Sequence, residues 1–153
     1  MTVWNLLPVV YLAVVSVPLT VRDLREHRLP NLWVMPGYLV VTAAVMGQWS
    51  SQGEFPWLVL WGGAGYFLFL LVLSFTGGMG MGDVKLAGVL GATSGMLGLE
   101  AVVLSLLFAF VLGGVVSLIL LLLRRGNRRT RIPFGPFLLA GFCIAASVTL
   151  FIE

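Results

Sequence analysis

The sequence predicts an all-α polytopic membrane protein with about six transmembrane helices and both termini outside. Of its 153 residues, 59% are hydrophobic and only 10% are charged, and the mean hydropathy is +1.06. Six apolar runs follow one another, each about long enough to span a bilayer. Because these runs leave no room for a soluble module, residues 1–153 are expected to form a single transmembrane domain.

The six helices are expected near residues 3–21, 32–49, 56–75, 84–98, 100–123 and 132–151. The fourth run is the shortest and is rich in glycine and alanine. Its Gly91 and Gly95 have a four-residue spacing that lets helix backbones approach each other closely. We therefore predict that the fourth helix is central and surrounded by protein.

The distribution of charge predicts the orientation of these helices. All nine basic residues fall in the first, third and fifth connections, with Lys85 at the start of the fourth helix. The second and fourth connections hold Glu54 and Glu100 but no lysine or arginine. By the positive-inside rule, the odd-numbered connections are cytoplasmic and both termini face outward. Asp23, after the first apolar run, and Asp83, before the fourth, then emerge on the same cytoplasmic side.

Asp23 and Asp83 are the candidate functional residues, since an ionisable group at a membrane segment indicates function by default. Two carboxylates at one depth could hydrolyse a peptide bond. An ionised carboxylate takes a proton from the attacking water, while a protonated one polarises the carbonyl and donates to the leaving amine. Like charges close together do not readily both ionise, so such a pair shares one proton. Glycines before Asp83 permit a tight turn and close approach of a substrate.

Each of these residues also has a structural interpretation. Asp83 could be the N-cap of the fourth helix, and Asp23 could belong to a solvated charged loop with Glu26 and the neighbouring arginines. Lys85 could be an anchor whose ammonium group reaches the membrane interface. His27, isolated in a basic loop, is expected to be solvated.

Three motifs in the chain resemble those of the type IV prepilin peptidase family, which are bacterial intramembrane aspartyl proteases. The first is Asp23, followed by a short charged stretch and Leu29-Pro30-Asn31. The second is Gly80-Met81-Gly82-Asp83-Val84-Lys85. The third is Ile132-Pro133-Phe134-Gly135-Pro136-Phe137-Leu138, with Gly141 after it. The motifs occur in the family's order and extend from the first helix to the last.

The resemblance implies a membrane-embedded aspartic endopeptidase with Asp23 and Asp83 as its catalytic pair. Its substrates would be pilin-like precursors, cut at the cytoplasmic face between a short basic leader and the apolar helix of the mature pilin. Substrate-binding or site-shaping roles fall by the same resemblance on Gly80, Gly82, Lys85, Pro30, Asn31, Pro133, Gly135 and Pro136. The protein would reside in the bacterial cytoplasmic (inner) membrane as a multi-pass protein.

The expected partners are the precursors and membrane lipid, to which the five arginines of the fifth connection would be attracted when the lipid is anionic. No nucleic acid, metal or other cofactor is expected, and the oligomeric state is left open. The single cysteine, Cys143, excludes an intrachain disulfide and a cysteine-rich zinc site. We expect its thiol to lie in the protein core.

Longer family members carry an N-terminal insertion with paired Cys-x-x-Cys motifs, which is associated with N-methylation of the new pilin terminus. This sequence has no such insertion. It resembles instead the short peptidases linked to tight-adherence (Flp-type) pili. We therefore expect a prepilin peptidase domain that cleaves without transferring a methyl group.

Two other functions would leave their own signatures in the sequence. A protease of the presenilin and signal-peptide-peptidase type should carry a Tyr-Asp pair and a Pro-Ala-Leu segment, and the sequence contains neither. A non-enzymatic transporter that binds a cation should show charges near the bilayer centre and an internal repeat. The sequence shows neither of these features.

Overall fold

The computed structural model describes residues 3–26, 29, 31–76, 79–123 and 133–152. Over these ranges the chain forms six α-helices, which confirms the expected number. They are α1 (Val3–Glu26), α2 (Asn31–Gln52), α3 (Trp57–Phe75), α4 (Met81–Leu97), α5 (Leu99–Leu122) and α6 (Gly135–Ile152). The largest difference from the expected bounds is at the end of α1, which continues past residue 21 and includes Asp23.

The helices have the lengths and surfaces of membrane spans. By length and composition, α1, α2, α3 and α5 are each able to cross a bilayer, and α6 is a shorter apolar helix. Large apolar side chains such as Leu39, Val72 and Phe75 are exposed on the outside of the bundle. Exposing these apolar side chains to water would be energetically unfavourable, whereas exposing them to lipid is not. The protein is therefore a polytopic helical membrane protein.

The central position of α4 is confirmed. Its residues from Leu86 to Leu97 are all buried, and it contacts each of the other five helices. The other helices bury one face and expose the opposite one. A helix without a lipid-facing side has no need of a continuous run of large apolar residues, which explains the small residues of this segment.

Glycines bring the backbones of α3 and α4 into contact. A Cβ atom built on Gly91 would lie 2.6 Å from Cβ of Tyr66, and one built on Gly95 would lie 2.9 Å from Cα of Val59. On the α3 side, Gly62 faces the carbonyl group of Gly91. The four-residue glycine spacing thus has the close-packing role expected from the sequence.

Cys143 does not lie in the core as expected but is exposed. On α6 the buried face is formed by Phe142, Ala145 and Ala146, and Cys143 points away from it. In a membrane protein the lipid-facing surface is as apolar as the interior. The apolar character of a residue therefore cannot distinguish these two locations.

Candidate active site

Asp23 lies near the C-terminal end of α1 and is 4% exposed. It continues the buried stripe of this helix, three or four residues at a time, after Leu12, Val15 and Leu19. The interpretation of Asp23 as part of a solvated loop is therefore wrong. Because α1 extends beyond its apolar run as far as Glu26, the carboxylate is carried into the interior of the bundle.

Asp83 lies in the first turn of α4 and is 7% exposed. The N-cap of this helix is Gly80, so the interpretation of Asp83 as the N-cap is also wrong. The Asp83 carboxylate instead accepts a hydrogen bond from the backbone N–H of Gly80. This contact is one half of a capping box, in which the third helical residue reaches back to the N-cap N–H.

Gly135, the first residue of α6, brings the two aspartates together. A Cβ atom built on Gly135 would lie 2.6 Å from Oδ2 of Asp23 and 3.3 Å from Oδ1 of Asp83. The two oxygens are therefore no farther apart than the sum of these distances. Only a residue without a side chain lets the backbone of α6 fit against both carboxylates at once.

The segment before α6 also provides hydrogen bonds to Asp83. Its carboxylate accepts bonds from the backbone N–H groups of Phe134 and Gly135. The flanking Pro133 and Pro136 have no N–H to donate. Both N–H groups of this four-residue segment are thus directed at one carboxylate.

The side chain of Phe134 anchors this segment to α5. A Cβ atom on Gly113 would lie 2.6 Å from the ring of Phe134, and the Phe134 and Phe110 rings lie 5.1 Å apart. Phe134 directly precedes α6, and its carbonyl oxygen accepts the N–H of Leu138 in the first turn of that helix at 3.1 Å. The two donors are therefore held by both a helix start and an aromatic cluster.

Lys85 and Asn31, both expected at the site, contact each other. Nζ of Lys85 donates to Oδ1 of Asn31 at 3.2 Å and so joins the start of α4 to the start of α2. Beside this bond, the Tyr38 hydroxyl donates to the Lys85 carbonyl oxygen at 2.8 Å. The Lys85 side chain thus connects α4 to α2 at a position two residues beyond Asp83.

The remaining expected residues have different surroundings. A Cβ atom on Gly82 would lie 3.0 Å from Cβ of Leu29, so this glycine allows the first connection to pack against α4. Gly80 has φ −79° and ψ 149°, a conformation open to any residue, and supplies its N–H rather than a tight turn. Pro30 and His27 lie outside the described residues. So do Arg28 and the five arginines of the fifth connection, namely Arg124, Arg125, Arg128, Arg129 and Arg131.

Sequence reasoning missed the individual roles of Phe134 and Tyr38. Phe134 is one of two residues with an N–H group between two prolines, which is a signal readable from the sequence. Tyr38 had no such signal. Among the described residues, no cluster of three or more histidine, cysteine, aspartate or glutamate side chains could hold a metal ion.

The fold and this site define a membrane-embedded helical protein with a buried pair of carboxylates at one end of its bundle. A model of the type IV leader peptidase family matches residues 10–118, and the chain belongs to this family. The match includes both aspartates and ends before the segment that precedes α6.

Three curated relatives are each named prepilin leader peptidase/N-methyltransferase. Those of Aeromonas salmonicida (strain A449), Pseudomonas putida and Burkholderia pseudomallei (strain 1026b) are 35%, 36% and 38% identical to this chain. The alignments cover 88%, 78% and 72% of the chain but 47%, 42% and 32% of the relatives. The chain thus spans less than half the length of these proteins. No solved structure matches it.

Proposed function

We propose that the chain is an aspartic endopeptidase that removes the leader from type IV pilin-like precursors at the cytoplasmic face of a bacterial inner membrane. Asp23 and Asp83 are its catalytic pair. The observation that carries this proposal is the contact of both carboxylates with Gly135, because it brings together two acidic groups from helices distant in sequence. The family match and the names of the relatives support the same activity.

The reaction needs one carboxylate ionised and the other protonated. The ionised carboxylate accepts a proton as water adds to the carbonyl carbon of the scissile peptide bond, and the protonated one donates a hydrogen bond to the carbonyl oxygen. The C–N bond then breaks, and the leaving nitrogen takes up a proton from the pair. Two adjacent buried carboxylates are suited to this exchange because they hold one proton between them.

The site-shaping residues act by keeping the pair in place. The N–H groups of Phe134 and Gly135 orient the Asp83 carboxylate, and Pro133 and Pro136 restrict the backbone on either side. Gly82 keeps the first connection close to α4. For Gly80, Asn31, Lys85 and Pro30 we propose a role in positioning the substrate or the starts of α2 and α4.

The charges of the described residues support a cytoplasmic position for the pair. Arg22, Arg25 and Lys85 lie in the helix ends that carry the aspartates, whereas Glu54 and Glu100 lie at the opposite end of the bundle. By the positive-inside rule the aspartate end is cytoplasmic and both termini are outside.

Reporter fusions test this orientation. Fusions after Gln52 and at the C-terminus should report the outside, and fusions within residues 126–129 the cytoplasm. A C-terminus that reports the cytoplasm would show that the orientation is wrong.

Co-expression with candidate pilin precursors tests the activity. The wild-type chain should convert a precursor to a faster-migrating product on a gel, and Asp83→Asn should leave the precursor intact while still inserting into the membrane. Glu26→Gln and Glu100→Gln are matched controls that remove an acidic group elsewhere, and both should retain cleavage. Conversion by Asp83→Asn at the wild-type rate would refute the proposal.

A further inference from the structure

A buried glycine of α5 lies against the segment that orients the catalytic pair. A Cβ atom built on Gly113 would lie 2.6 Å from Cε2 of Phe134, and the three atoms nearest to it all belong to the Phe134 ring. Carbon atoms in ordinary contact are about 3.5–4.0 Å apart. Any side chain at position 113 would therefore displace this ring, and only glycine lets Phe134 lie directly on α5.

The Phe134 ring also has aromatic neighbours. Its centroid lies 5.1 Å from that of Phe110 and 5.9 Å from that of Phe137. The Phe110 ring in turn lies 5.7 Å from the ring of Phe69 on α3. Because these rings restrict how far the Phe134 side chain can turn aside, we expect a displacement at position 113 to move the Phe134 backbone as well.

A second close contact prevents α5 and α6 from separating to make room. A Cβ atom on Gly141 would lie 2.5 Å from the backbone nitrogen of Ala109 and 2.9 Å from its Cα atom. Gly141 follows Phe134 by about two helical turns, and Ala109 precedes Gly113 by about one turn on the same buried side of α5. A side chain at position 113 must therefore be accommodated at the start of α6.

The start of α6 is the part of this helix that meets the catalytic pair. The N–H groups of Phe134 and Gly135 donate to the Asp83 carboxylate, and Gly135 lies against the Asp23 carboxylate. The Phe134 ring and the first of these N–H groups belong to one residue. A shift of the ring that reaches the backbone thus shifts the groups that orient both aspartates.

We propose that Gly113 is a positioning residue for the peptidase reaction, an inference that rests on the proposed function. By leaving space for the Phe134 ring, Gly113 sets the distance between α5 and the start of α6, and this distance places the two N–H donors at Asp83. What Gly113 positions is the carboxylate pair and not the precursor. Its substitution should therefore slow the catalytic step and leave precursor binding unchanged.

Two consecutive glycines of α5 allow a matched test. Gly113→Ala adds a methyl group against Phe134, whereas Gly114→Ala adds one where a Cβ atom would meet nothing within 4 Å. Cleavage of a full-length pilin precursor is measured with each variant in vesicles of phosphatidylethanolamine and phosphatidylglycerol. Gly113→Ala should lower kcat about tenfold and leave KM within about twofold of wild type. Gly114→Ala should leave both constants within about twofold of wild type.

A smaller side chain at position 134 should remove the effect of the added methyl group. Phe134→Leu keeps both N–H donors but lacks the outer ring atoms, of which Cε2 is the nearest to Gly113. In the Phe134→Leu background, Gly113→Ala should lower kcat by less than about twofold. An equal loss in both backgrounds, a loss confined to KM, or an equal loss in Gly114→Ala would overturn the assignment.

Phe134→Ala keeps the proposal testable if thermal unfolding in detergent shows that Gly113→Ala does not fold. It removes the contact with α5 but retains both N–H donors, so kcat should fall on the order of tenfold. The control is Phe151→Ala, which removes a ring that is 90% exposed on the same helix and should cleave at the wild-type rate. Full activity of Phe134→Ala would overturn the proposal.

These outcomes separate the two levels of inference. If the wild-type chain cleaves its precursor while Gly113→Ala and Phe134→Ala are unimpaired, only the assignment of Gly113 fails. If the wild-type chain cleaves no pilin precursor, the proposed function fails and the assignment falls with it.

Discussion

Two regions of this bundle depend on glycine for close approach, and they differ in what the glycine touches. Along α3 and α4, Gly91 lies against the backbone of Gly62 and the Cβ atom of Tyr66. At the start of α6, Gly135 lies against the carboxylate oxygens of Asp23 and Asp83. The first contact joins two backbones, and the second joins a backbone to the ends of two side chains.

The difference separates stability from activity. Backbone atoms inside a packed bundle cannot move aside, so a methyl group at Gly91 must push two helices apart. The carboxylate ends near Gly135 can rotate away at little energetic cost, but they then lose their mutual position. We therefore expect substitutions in the α3–α4 contact to affect folding and substitutions at Gly135 to affect catalysis.

Gly135→Ala should have the largest effect of the substitutions that test this comparison. The added Cβ would displace the Asp23 carboxylate, and a misplacement of about 1 Å can cost on the order of 100-fold in rate. Cleavage of a precursor in vesicles measures the loss, and thermal unfolding in detergent should change little. If Gly135→Ala is unfolded, or if it is fully active, the assignment of Gly91 to stability and Gly135 to catalysis is wrong.

Gly91→Ala should mainly reduce stability. Overpacking of a dense interior typically costs about 1–3 kcal/mol, and here the blocking atoms belong to Gly62 and Tyr66. Gly114→Ala on α5 is the control, since a Cβ atom there would meet nothing within 4 Å. Thermal unfolding of both variants in the same detergent measures the difference, and equal stability of the pair would contradict the close contact.

Lys85→Ala should have the smallest effect, a loss of cleavage of roughly three- to tenfold with unchanged insertion. It removes the bond to Asn31 that joins α2 to α4, but it leaves both carboxylates in place. Asn31→Ala removes the same bond from the other side and should cause a similar loss. The double variant should be no worse than either single one, whereas additive losses would show that the two residues act separately.

The sequence predicted the helices and the paired aspartates because both leave clear signals. Apolar runs give the helices, and the charge pattern places Asp23 and Asp83 at the same end. The contact of both carboxylates with Gly135 could not be predicted from these patterns, since it depends on how α6 approaches α1 and α4. The structural alternatives for the two aspartates failed because α1 extends beyond its apolar run and because α4 begins two residues before Asp83, with Gly80 as its N-cap.

Other features could not be predicted from the sequence, for a simpler physical reason. An apolar residue has the same character whether it faces lipid or protein, which is why Cys143 was wrongly expected in the core. No sequence pattern singles out Tyr38 either. Its link to the start of α4 is visible only in the structure, where its hydroxyl group donates a hydrogen bond to the Lys85 carbonyl oxygen.

A double-mutant cycle on Asp23 and Asp83 tests the central claim most directly. Both asparagine substitutions preserve shape but remove the proton that the carboxylates exchange, so each single variant should lower kcat/KM on the order of 1,000-fold or more. If the residues act as one unit, Asp23→Asn with Asp83→Asn should be no slower than either single variant. Losses that multiply in the double variant, or near wild-type cleavage by either single variant when correctly inserted, would contradict the account.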